Sequence, residues 1–332
     1  MELPLVSIII VNFNGKDHIE KCLNSLNKIL YEPIEIIVID NNSSDDSVEF
    51  IKHNFPHVLI ISLDTNYGFA EPNNICSKTA KGEFLLFLNN DTIVTPNFLM
   101  ELVLEIKQNN KIAICQSLLL KPNGIIDSSG DFIDKIGMVY NSKQEINQTR
   151  RIFSPRAASM LIRKEIFSKL GGFDEKFVFS FEDVDLGWRS WILGYESIVV
   201  PKSIVYHVGG ITTKKFRSES TFHGIKNQLS MKITNFELPL VFKNLFLFFI
   251  IYGTREIKIW FDYKINGKTM VTSTKFEDTI AQKPDFGTAI KSVFWLFSNM
   301  GYLISKHKDV NSKRVLSTKE LEKMNLISNI RQ

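Results

Sequence analysis

The sequence predicts an α/β protein with a mostly parallel sheet flanked by helices, followed by a helical C-terminal extension. Over the first 120 residues, short apolar runs alternate with amphipathic stretches. Strands separated by helices of about 10–15 residues indicate βαβ units and a parallel sheet. After about residue 235 the composition becomes rich in Phe and Lys. This change predicts that a different kind of structure follows the sheet.

The predicted strands and helices follow from the spacing of apolar residues and from the residues that begin or end helices. Short apolar runs predict strands at residues 6–11, 34–39, 58–63, 84–88, 112–120, 157–162, 197–200 and 203–207. Apolar residues at helical spacing predict helices at residues 17–29, 43–53, 69–79, 98–107, 164–170 and 182–193. Capping side chains at 43–46, Pro96 and the Gly171 and Gly172 pair mark helix ends. Residues 121–155 are polar and contain Gly turns, which predicts hairpins or a loop.

The composition is that of a folded protein. The chain has 332 residues, 44% hydrophobic and 23% charged, and its net charge is +4. These values exclude disorder, a collagen-like repeat and a coiled coil for the bulk of the chain. Residues 1–200 contain 19 Lys and Arg against 26 Asp and Glu, whereas residues 201–332 contain 21 against 10. The basic half indicates either an anionic partner or an ordinary solvated surface.

The cysteines and the apolar runs indicate the cellular compartment in which the protein is expected. Cys22, Cys76 and Cys115 are widely spaced, so neither a disulfide framework nor a zinc site is expected, and a reducing cytoplasm fits. The apolar run at residues 6–11 is too short for a signal peptide and has no basic residue before it. We expect no membrane span, because the best candidate, residues 238–252, is interrupted by polar residues and a proline.

Four successive predicted strands end in clusters of Asn, Asp and Gly. These clusters begin at Asn12, Asp40, Asp64 and Asn89. Because ligands bind beyond the carboxyl ends of parallel strands, the clusters indicate a polar ligand with hydroxyl and phosphate groups. Neither a dinucleotide-binding glycine pattern nor a P-loop is present.

Two groups of residues suggest chemistry, and His207 and the acidic cluster also have simpler explanations. Asp91 follows an apolar strand and is a candidate Mg²⁺ or Mn²⁺ ligand, with His207 as a second ligand or a structural residue. Glu182, Asp183 and Asp185 crowd the first turn of a helix, where acids are also stabilised by the helix dipole. Asp185 is spaced to pair with Arg189, which leaves Asp183 as the better candidate for a general base.

Taken together, these motifs resemble glycosyltransferase family 2, the inverting enzymes of the GT-A fold, and especially its rhamnosyltransferase-like branch. The matching segments run in the family's order from residue 6 to about residue 212. They are V-S-I-I-I-V-N-F-N-G, I-V-I-D-N-N-S-S-D, N-Y-G-F-A-x-x-N-N, F-L-N-N-D-T, G-G-F-D-E-x-F-x-x-x-x-E-D-V-D-L-x-x-R and Y-H-x-G-G.

The resemblance implies a role for each matching position. Asp183 would be the catalytic base, and Asp91 with His207 would hold a Mg²⁺ or Mn²⁺ ion on the donor diphosphate. Asn89 stands where the family's metal motif begins with Asp, and Arg156 begins a segment that is usually a small Gly-Ala turn. The residues implied in binding a nucleoside-diphosphate sugar are Asn14, Asp40, Asn42, Asn66, Gly68, Asn74, Asn90 and Glu182.

The predicted domains are a GT-A catalytic domain at residues 1–235 and a helical, basic and aromatic extension at residues 236–332. The implied reaction moves a sugar, from dTDP-rhamnose or a UDP-sugar, to a glycan or lipid-linked acceptor at the inner face of the cell membrane. The extension would contact the membrane surface, pack as a subdomain or form a homodimer interface. Alternatives are a nucleotidyltransferase of similar fold and a catalytically inert binding module. The basic residues form no nucleic-acid-binding motif.

Overall fold

The computed structural model describes residues 3–209, 217–266, 270–271, 280–281 and 286–328. Its strands are β1 Val6–Asn12, β2 Ile34–Asp40, β3 Leu59–Ser62, β4 Phe84–Leu88, β5 Thr92–Val94, β6 Ile112–Leu120, β7 Ile126–Ser128, β8 Asp131–Asp134, β9 Val139–Asn141, β10 Arg150–Arg151, β11 Ser159–Arg163, β12 Glu196–His207, β13 Met270–Val271, β14 Ile280–Ala281 and β15 Ile327–Ser328. Gly210 of the Y-H-x-G-G motif lies outside the described residues.

The helices of the N-terminal part alternate with the strands, as the sequence predicts. They are α1 Lys16–Leu26, α2 Ser47–Asn54, α3 Ala70–Thr79, α4 Phe98–Gln108, α5 Lys164–Lys169 and α6 Glu182–Ile192, with a 3₁₀ turn at Glu175–Phe177. The C-terminal part is mostly helical, which confirms the predicted extension. Its helices are α7 Arg217–Asn235, α8 Leu238–Asn266, α9 Phe286–Ser298, α10 Met300–Ser312 and α11 Thr318–Lys323.

A ten-stranded mixed sheet forms the centre of the molecule. Its main path runs β10-β12-β6-β11-β4-β1-β2-β3. Neighbours from β4 to β3 are parallel, and so are β12 and β6, whereas β11 is antiparallel to both β4 and β6. The two strands predicted at 197–200 and 203–207 are one strand, β12, with a register shift between Val200 and Ile204. Pro201 lies inside this shift, where it donates no hydrogen bond to the ladder.

Three groups of buried apolar side chains fill the interior, one on each face of the sheet and a third among the helices. Helix α6 joins two of them. Leu186 packs with the residues of one sheet face, while Trp188 and Trp191 pack with the C-terminal helices. The N-terminal turn of α6 is therefore fixed between the sheet and the helical layer.

The predicted domain boundary at residue 235 coincides with the end of α7. Helix α7 already packs against α9 and α10, so the helical layer begins before that boundary. The chain also returns to the first part, because Ile327 of β15 pairs in parallel with Ile133 of β8. The division into two domains stays a prediction.

Helix α8 differs from the sequence expectation of an interrupted apolar run. Pro239 is the second residue of the helix, where its missing N–H breaks no intrahelical hydrogen bond, so the helix continues to Asn266. Its stretch Leu238–Phe261 has a mean hydropathy of 1.3 and is long and apolar enough to cross a membrane. Only 18% of its most apolar window is buried in the protein.

Candidate active site at the strand ends

Asn12 joins the ends of three parallel strands. Its side chain is fully buried at the end of β1. Its Nδ2 donates to Asp40 Oδ1 of β2 at 3.2 Å and to Ser47 Oγ at 2.8 Å. Its Oδ1 accepts from Asn90 Nδ2, after β4, at 3.1 Å. The predicted site residues Asp40 and Asn90 thus meet through Asn12, to which the sequence analysis assigned no role.

The other predicted residues of this group line the same edge. Asp40 is 4% exposed, and its second oxygen accepts from the Ser43 N–H at 3.0 Å. Asn14 and Asn42 are exposed and have left-handed backbones, with φ of 48° and 65°. Asn14 Oδ1 accepts from the Ser44 N–H at 2.7 Å. Asn14 and Asn42 are the members of this group that a ligand in solvent can reach directly.

Asn41 connects this edge to the loop before α3. Its Nδ2 donates to Asn66 Oδ1 and to Gly68 O, both at 2.7 Å, and its Oδ1 accepts from the Tyr67 N–H at 2.9 Å. Asn41 is buried, so the two adjacent asparagines have different roles. Asn41 fixes the loop, and Asn42 faces solvent.

Gly68 approaches another part of the chain. A Cβ at Gly68 would lie 2.5 Å from Val178 Cγ1 and 2.7 Å from Val178 O, and the backbone φ is +84°. The N–H groups of Phe69 and Ala70 both donate to Val178 O, at 2.7 and 3.0 Å. The first N–H groups of α3, which a phosphate could otherwise accept from, therefore donate to a carbonyl of the loop before α6.

Asn74 does not belong to the strand-end cluster, and its hydrogen bonds do not support the predicted role in binding the nucleoside-diphosphate sugar. Its Nδ2 donates to Phe173 O at 2.9 Å and to Glu175 Oε1 at 3.1 Å, while its Oδ1 accepts from the Phe173 N–H at 2.9 Å. The side chain is 6% exposed. Because these bonds use both ends of its amide, Asn74 holds the Gly172 turn rather than a ligand.

His207 lies between two carboxylates. Its Nδ1 is 2.9 Å from Asp127 Oδ2, and its Nε2 is 3.5 Å from Asp91 Oδ1. The other oxygen of Asp91 accepts from the Gly209 N–H at 2.9 Å. Asn89 Nδ2 also lies 3.4 Å from His207 Nε2. The structure thus brings the two predicted metal ligands together and adds Asp127.

The charges of this group support one another. Burial by itself lowers the pKa of His207, but the hydrogen bonds and charges of Asp127 and Asp91 raise it to about 9. Burial raises the pKa of Asp91 and of Asp127, and the His207 imidazolium more than compensates, so both carboxyl pKa values are lowered. At neutral pH the three groups form a carboxylate, imidazolium and carboxylate series.

The donor set of Asp91 and His207 fits a hard divalent cation that also binds a diphosphate. A carboxylate oxygen and the imidazole Nε2, which must give up its proton when the cation binds, would supply two ligands, and phosphate oxygens and water would supply the rest. Asp127 would then hold Nδ1–H and orient the ring, as carboxylates do for metal-binding histidines. Across the part of the chain that the structure describes, no three His, Cys, Asp or Glu side chains form a protein-only metal cage.

Asp183 is placed by backbone hydrogen bonds at the start of α6. Its Oδ1 accepts from the Val184 N–H at 2.8 Å, and its Oδ2 accepts from the Ala157 N–H at 3.3 Å. The side chain is half-buried. The next residue, Ala158, accepts from the Asn89 N–H at 3.1 Å. Asp183 is therefore linked through residues 157–158 to the end of β4, just before Asp91.

The two other acids of this helix turn are buried. Glu182 is 7% exposed, and it begins α6 directly after Phe181, whose φ is 68°. Asp185 pairs with Arg189 at 2.7 Å inside the protein, as the spacing of four residues predicts. Of the three acids, Asp183 is the most accessible to a substrate.

The positive charge of Arg156 interacts with carboxylates on both sides of the site, Asp183 on one side and Asp127 on the other. Its Nε donates to Asp131 Oδ1 at 3.2 Å. Burial lowers the pKa of its guanidinium, but the carboxylates of Asp131, Asp183 and Asp127 together raise it. Nη2 is buried and has no hydrogen-bond partner among the described residues. One fixed cation thus stands among the acids on the Asp183 and His207 sides.

Asp127 and Arg156 extend the site beyond the sequence prediction. Asp127 lies in the segment that the sequence analysis described only as hairpins or a loop, and its partner His207 is 80 residues away. Arg156 was noticed only as a departure from the family's usual turn. For both residues, the sequence offered one indication of a role, which was a charged side chain in a segment next to buried strands.

The first half of the chain matches a known protein family. Residues 7–171 match the family model described as Glycosyl transferase family 2. The chain is 28% identical over 220 residues to the O-antigen biosynthesis protein RfbC of Myxococcus xanthus, a match covering 61% of this chain and 17% of the relative. It is 22% identical over 234 residues to the N-acetylglucosaminyl-diphospho-decaprenol L-rhamnosyltransferase of Mycobacterium tuberculosis, covering 62% of this chain and 75% of the relative.

The fold is that of solved glycosyltransferases. The mannosyltransferase PcManGT from Pyrobaculum calidifontis, in complex with GDP-Man and Mn²⁺, superposes with a TM-score of 0.55 at 14% identity. That match covers 94% of this chain and 86% of the other. The sequence motifs, the mixed sheet and the family match agree, and residues 7–171 of the chain are a Glycosyl transferase family 2 domain.

Proposed function

We propose that this protein transfers a sugar from a nucleoside-diphosphate sugar to a hydroxyl group of a glycan or lipid-linked acceptor, with inversion at the anomeric carbon. The observation that carries the proposal is the run of charges across the strand ends. Asp91, His207 and Asp127 lie at one side, Asp183 lies at the other, and the charge of Arg156 acts on both Asp127 and Asp183.

The donor would bind along the strand ends, with its nucleoside at Asn14 and Asn42 and its diphosphate at Asp91 and His207. A divalent cation held by these two residues would neutralise the charge that develops on the departing diphosphate. Asp127 keeps the imidazole ring oriented, and Asn12 keeps Asn90 and Asp40 in place. The site residues Asn66, Gly68 and Glu182 remain predictions for donor contact.

Asp183 would act as the general base. The acceptor oxygen forms a bond to the anomeric carbon while the bond from that carbon to the diphosphate oxygen breaks, and the hydroxyl proton passes to an Asp183 oxygen. Both oxygens are held by backbone N–H groups, so the carboxylate is oriented before the acceptor arrives. A single displacement inverts the configuration and needs no nucleophile on the enzyme.

The relatives support an activity in cell-surface polysaccharide synthesis. One is named for O-antigen biosynthesis, and another for rhamnosyl transfer to a diphospho-decaprenol carrier. On this basis we propose dTDP-rhamnose or a UDP-sugar as the donor, and action on the cytoplasmic side of the cell membrane. A homodimer is a further proposal that the apolar C-terminal helices suggest.

The test is a panel of UDP-, dTDP- and GDP-sugars, assayed with Mg²⁺ or Mn²⁺ and with a chelator, in which the release of nucleoside diphosphate is measured. Asp183→Asn should lower kcat by about 10²–10⁴-fold while leaving nucleotide affinity unchanged. Asp309→Asn on α10, exposed and remote, is the matched control. Near-normal turnover in Asp183→Asn would disprove the assignment of the base.

The same panel, run with acceptors and extended to nucleoside triphosphates with sugar phosphates, separates the alternatives. An inert binding module would bind a nucleotide sugar and release no nucleoside diphosphate with any acceptor. A nucleotidyltransferase would release pyrophosphate from a nucleoside triphosphate and a sugar phosphate. Either result would overturn the proposed transfer reaction.

A further inference from the structure

Helices α8 and α9 both pack against α7, and both expose apolar side chains, which we together call the aromatic face. Its side chains are 41–70% exposed. They are Phe242, Phe246, Phe249, Trp260 and Phe261 of α8, and Ile290, Phe294 and Phe297 of α9. Soluble proteins rarely leave this much aromatic surface open to water unless it binds something. The aromatic face is remote in sequence from every residue assigned to the site.

The aromatic face is separate from the surfaces with which these helices pack on the protein. Phe242, Phe246 and Phe249 follow a spacing of four and three residues, which aligns them on one side of α8. Val241 and Phe248 lie on the other side, where they are buried in the helical core against which α7 packs. A helix that is apolar on both sides needs a second apolar environment.

The charges around the aromatic face are basic. On the described parts of α8 and α9, every exposed charged side chain is a lysine, namely Lys243, Lys258, Lys264 and Lys291. The complete sequences of the two helices contain five cationic residues and two acidic ones. Aromatic side chains beside lysines match the boundary between lipid headgroups and acyl chains, where the headgroups are anionic.

We propose that the aromatic face binds the surface of an anionic lipid bilayer, with α8 and α9 lying in the interface. A crossing orientation of α8 is less suitable, although the stretch Leu238–Phe261 is long enough. Val241, Phe248 and Ile259, spread along the helix, are buried within the protein, so insertion would remove them from the core. Lysines at 243, 258 and 264 would also have to enter the membrane or reach its surfaces.

The experiment uses the full chain and vesicles of phosphatidylcholine with or without phosphatidylglycerol. Binding by cosedimentation should require phosphatidylglycerol and should weaken as salt is raised. A variant with Phe242→Ser, Phe246→Ser and Phe249→Ser should bind at least about tenfold more weakly, because it loses apolar burial in the interface. The matched control is Leu30→Ser, Leu104→Ser and Ile125→Ser, three exposed residues outside these helices, which should bind normally.

Trp260 supplies an internal probe of the contact. It is 41% exposed, whereas Trp188 and Trp191 are fully buried in the core, and Trp295 of α9 is partly buried against the core with the Lys226 Nζ 4.6 Å from its ring centre. Adding anionic vesicles should shift tryptophan emission to shorter wavelength, and Trp260→Phe should abolish most of the shift. A similar shift in Trp260→Phe would overturn the assigned surface.

Three other outcomes would also overturn the proposal. They are absent or salt-insensitive vesicle binding, resistance to extraction from membranes by alkaline carbonate, which would indicate a spanning helix, and loss of a homodimer but not of vesicle binding in the triple-serine variant. The binding assay contains no sugar nucleotide, so it is independent of the proposed transfer reaction. Thermal unfolding of each variant confirms that the fold is intact.

Discussion

Asn227 of α7 donates its side-chain amide to Ser180 O at 2.7 Å. The same nitrogen lies 2.9 Å from both Phe177 O and Phe179 O. These carbonyls belong to the loop that leads into α6 and Asp183. Three residues of this loop have positive φ values although none of them is glycine: 63° at Val178, 69° at Ser180 and 68° at Phe181. Each such residue costs about 1 kcal/mol or more, so the loop depends on its surroundings to keep this shape.

We predict that Asn227→Ala lowers kcat by about tenfold or more, because the loop leads into Asp183. It should change the donor KM by a smaller factor, because the loop reaches the donor side through the contact of Val178 with the Gly68 segment. The measurement is steady-state kinetics with the donor identified by the panel. Ser180→Gly should partly restore kcat in Asn227→Ala, since glycine adopts positive φ without strain.

The control is Asn54→Ala, which removes another side-chain amide bonded to a helix carbonyl, on α2. It should leave both constants unchanged. If Asn227→Ala lost stability but kept its kcat, the loop would have only a structural role.

Asp127→Asn tests the support of His207. The amide keeps the shape and can still accept from Nδ1–H, but it removes the charge that holds the imidazole. Loss of such an outer carboxylate typically weakens metal binding by about 10–100-fold. Calorimetric titration with Mn²⁺ in the presence of a nucleoside diphosphate measures the change. Unchanged affinity would show that His207 needs no support from Asp127 or does not bind the ion.

Substitutions of Asp185 and Asp183 should have different effects, with Asp185→Asn lowering stability and Asp183→Asn lowering activity. Asp185 is fully buried and accepts from Arg189 Nε at 2.8 Å and from Asn235 Nδ2 at 2.9 Å. Lys306 Nζ approaches it to 3.9 Å. Asp185→Asn leaves the buried Arg189 guanidinium without its carboxylate partner and should cost about 3–5 kcal/mol in the free energy of unfolding.

Urea unfolding of both variants decides the point. Asp183→Asn should unfold close to wild type while losing turnover, and Asp185→Asn should unfold much earlier. The exposed pair of Asp309 and Lys313 gives the scale for a surface ion pair, about 1 kcal/mol or less. Equal stability of the two variants would mean that the assignment of roles within this helix turn is wrong.

Local patterns of the sequence were sufficient to predict the longer strands of the sheet, the helices of the first part of the chain and the strand-end clusters. Apolar runs and helical spacing are set by residues close in sequence, so β1 to β4 and α6 lie close to where they were expected. The pairing of Asp185 with Arg189 was predicted for the same reason, since it depends on a spacing of four residues.

Contacts between segments that are distant in sequence could not be predicted from local sequence patterns. His207 meets Asp127 across 80 residues, and Asn74 meets Phe173 across 99. One contact adds a charged partner to the site, and the other removes a predicted donor residue from it. A motif shows that a polar residue is required, but only the folded chain shows whether a ligand or another segment satisfies it.

Lys232 makes stability depend on pH. It is a fully buried residue of α7, and its ammonium donates to Ile136 O and lies 5.2 Å from the centre of the Phe248 ring. Burial lowers its pKa to about 7, although the charge of Asp134 partly opposes this. Its pKa in the unfolded chain is near 10.5. Between these values the unfolded chain binds more protons than the folded one, so stability rises with pH.

We predict that the free energy of unfolding of wild type, relative to Lys232→Met, rises between about pH 7 and pH 10 by at most about 5 kcal/mol. Taking the difference cancels the titrations that the two proteins share. The loss of the hydrogen bond to Ile136 O shifts the difference by an amount that does not vary with pH. Paired urea unfolding curves at several pH values measure it, with the exposed Lys107→Met on α4 as the control that should give a flat difference. A flat difference for Lys232→Met as well would mean that Lys232 is charged in the folded protein up to alkaline pH, which would require water or a carboxylate at its ammonium group.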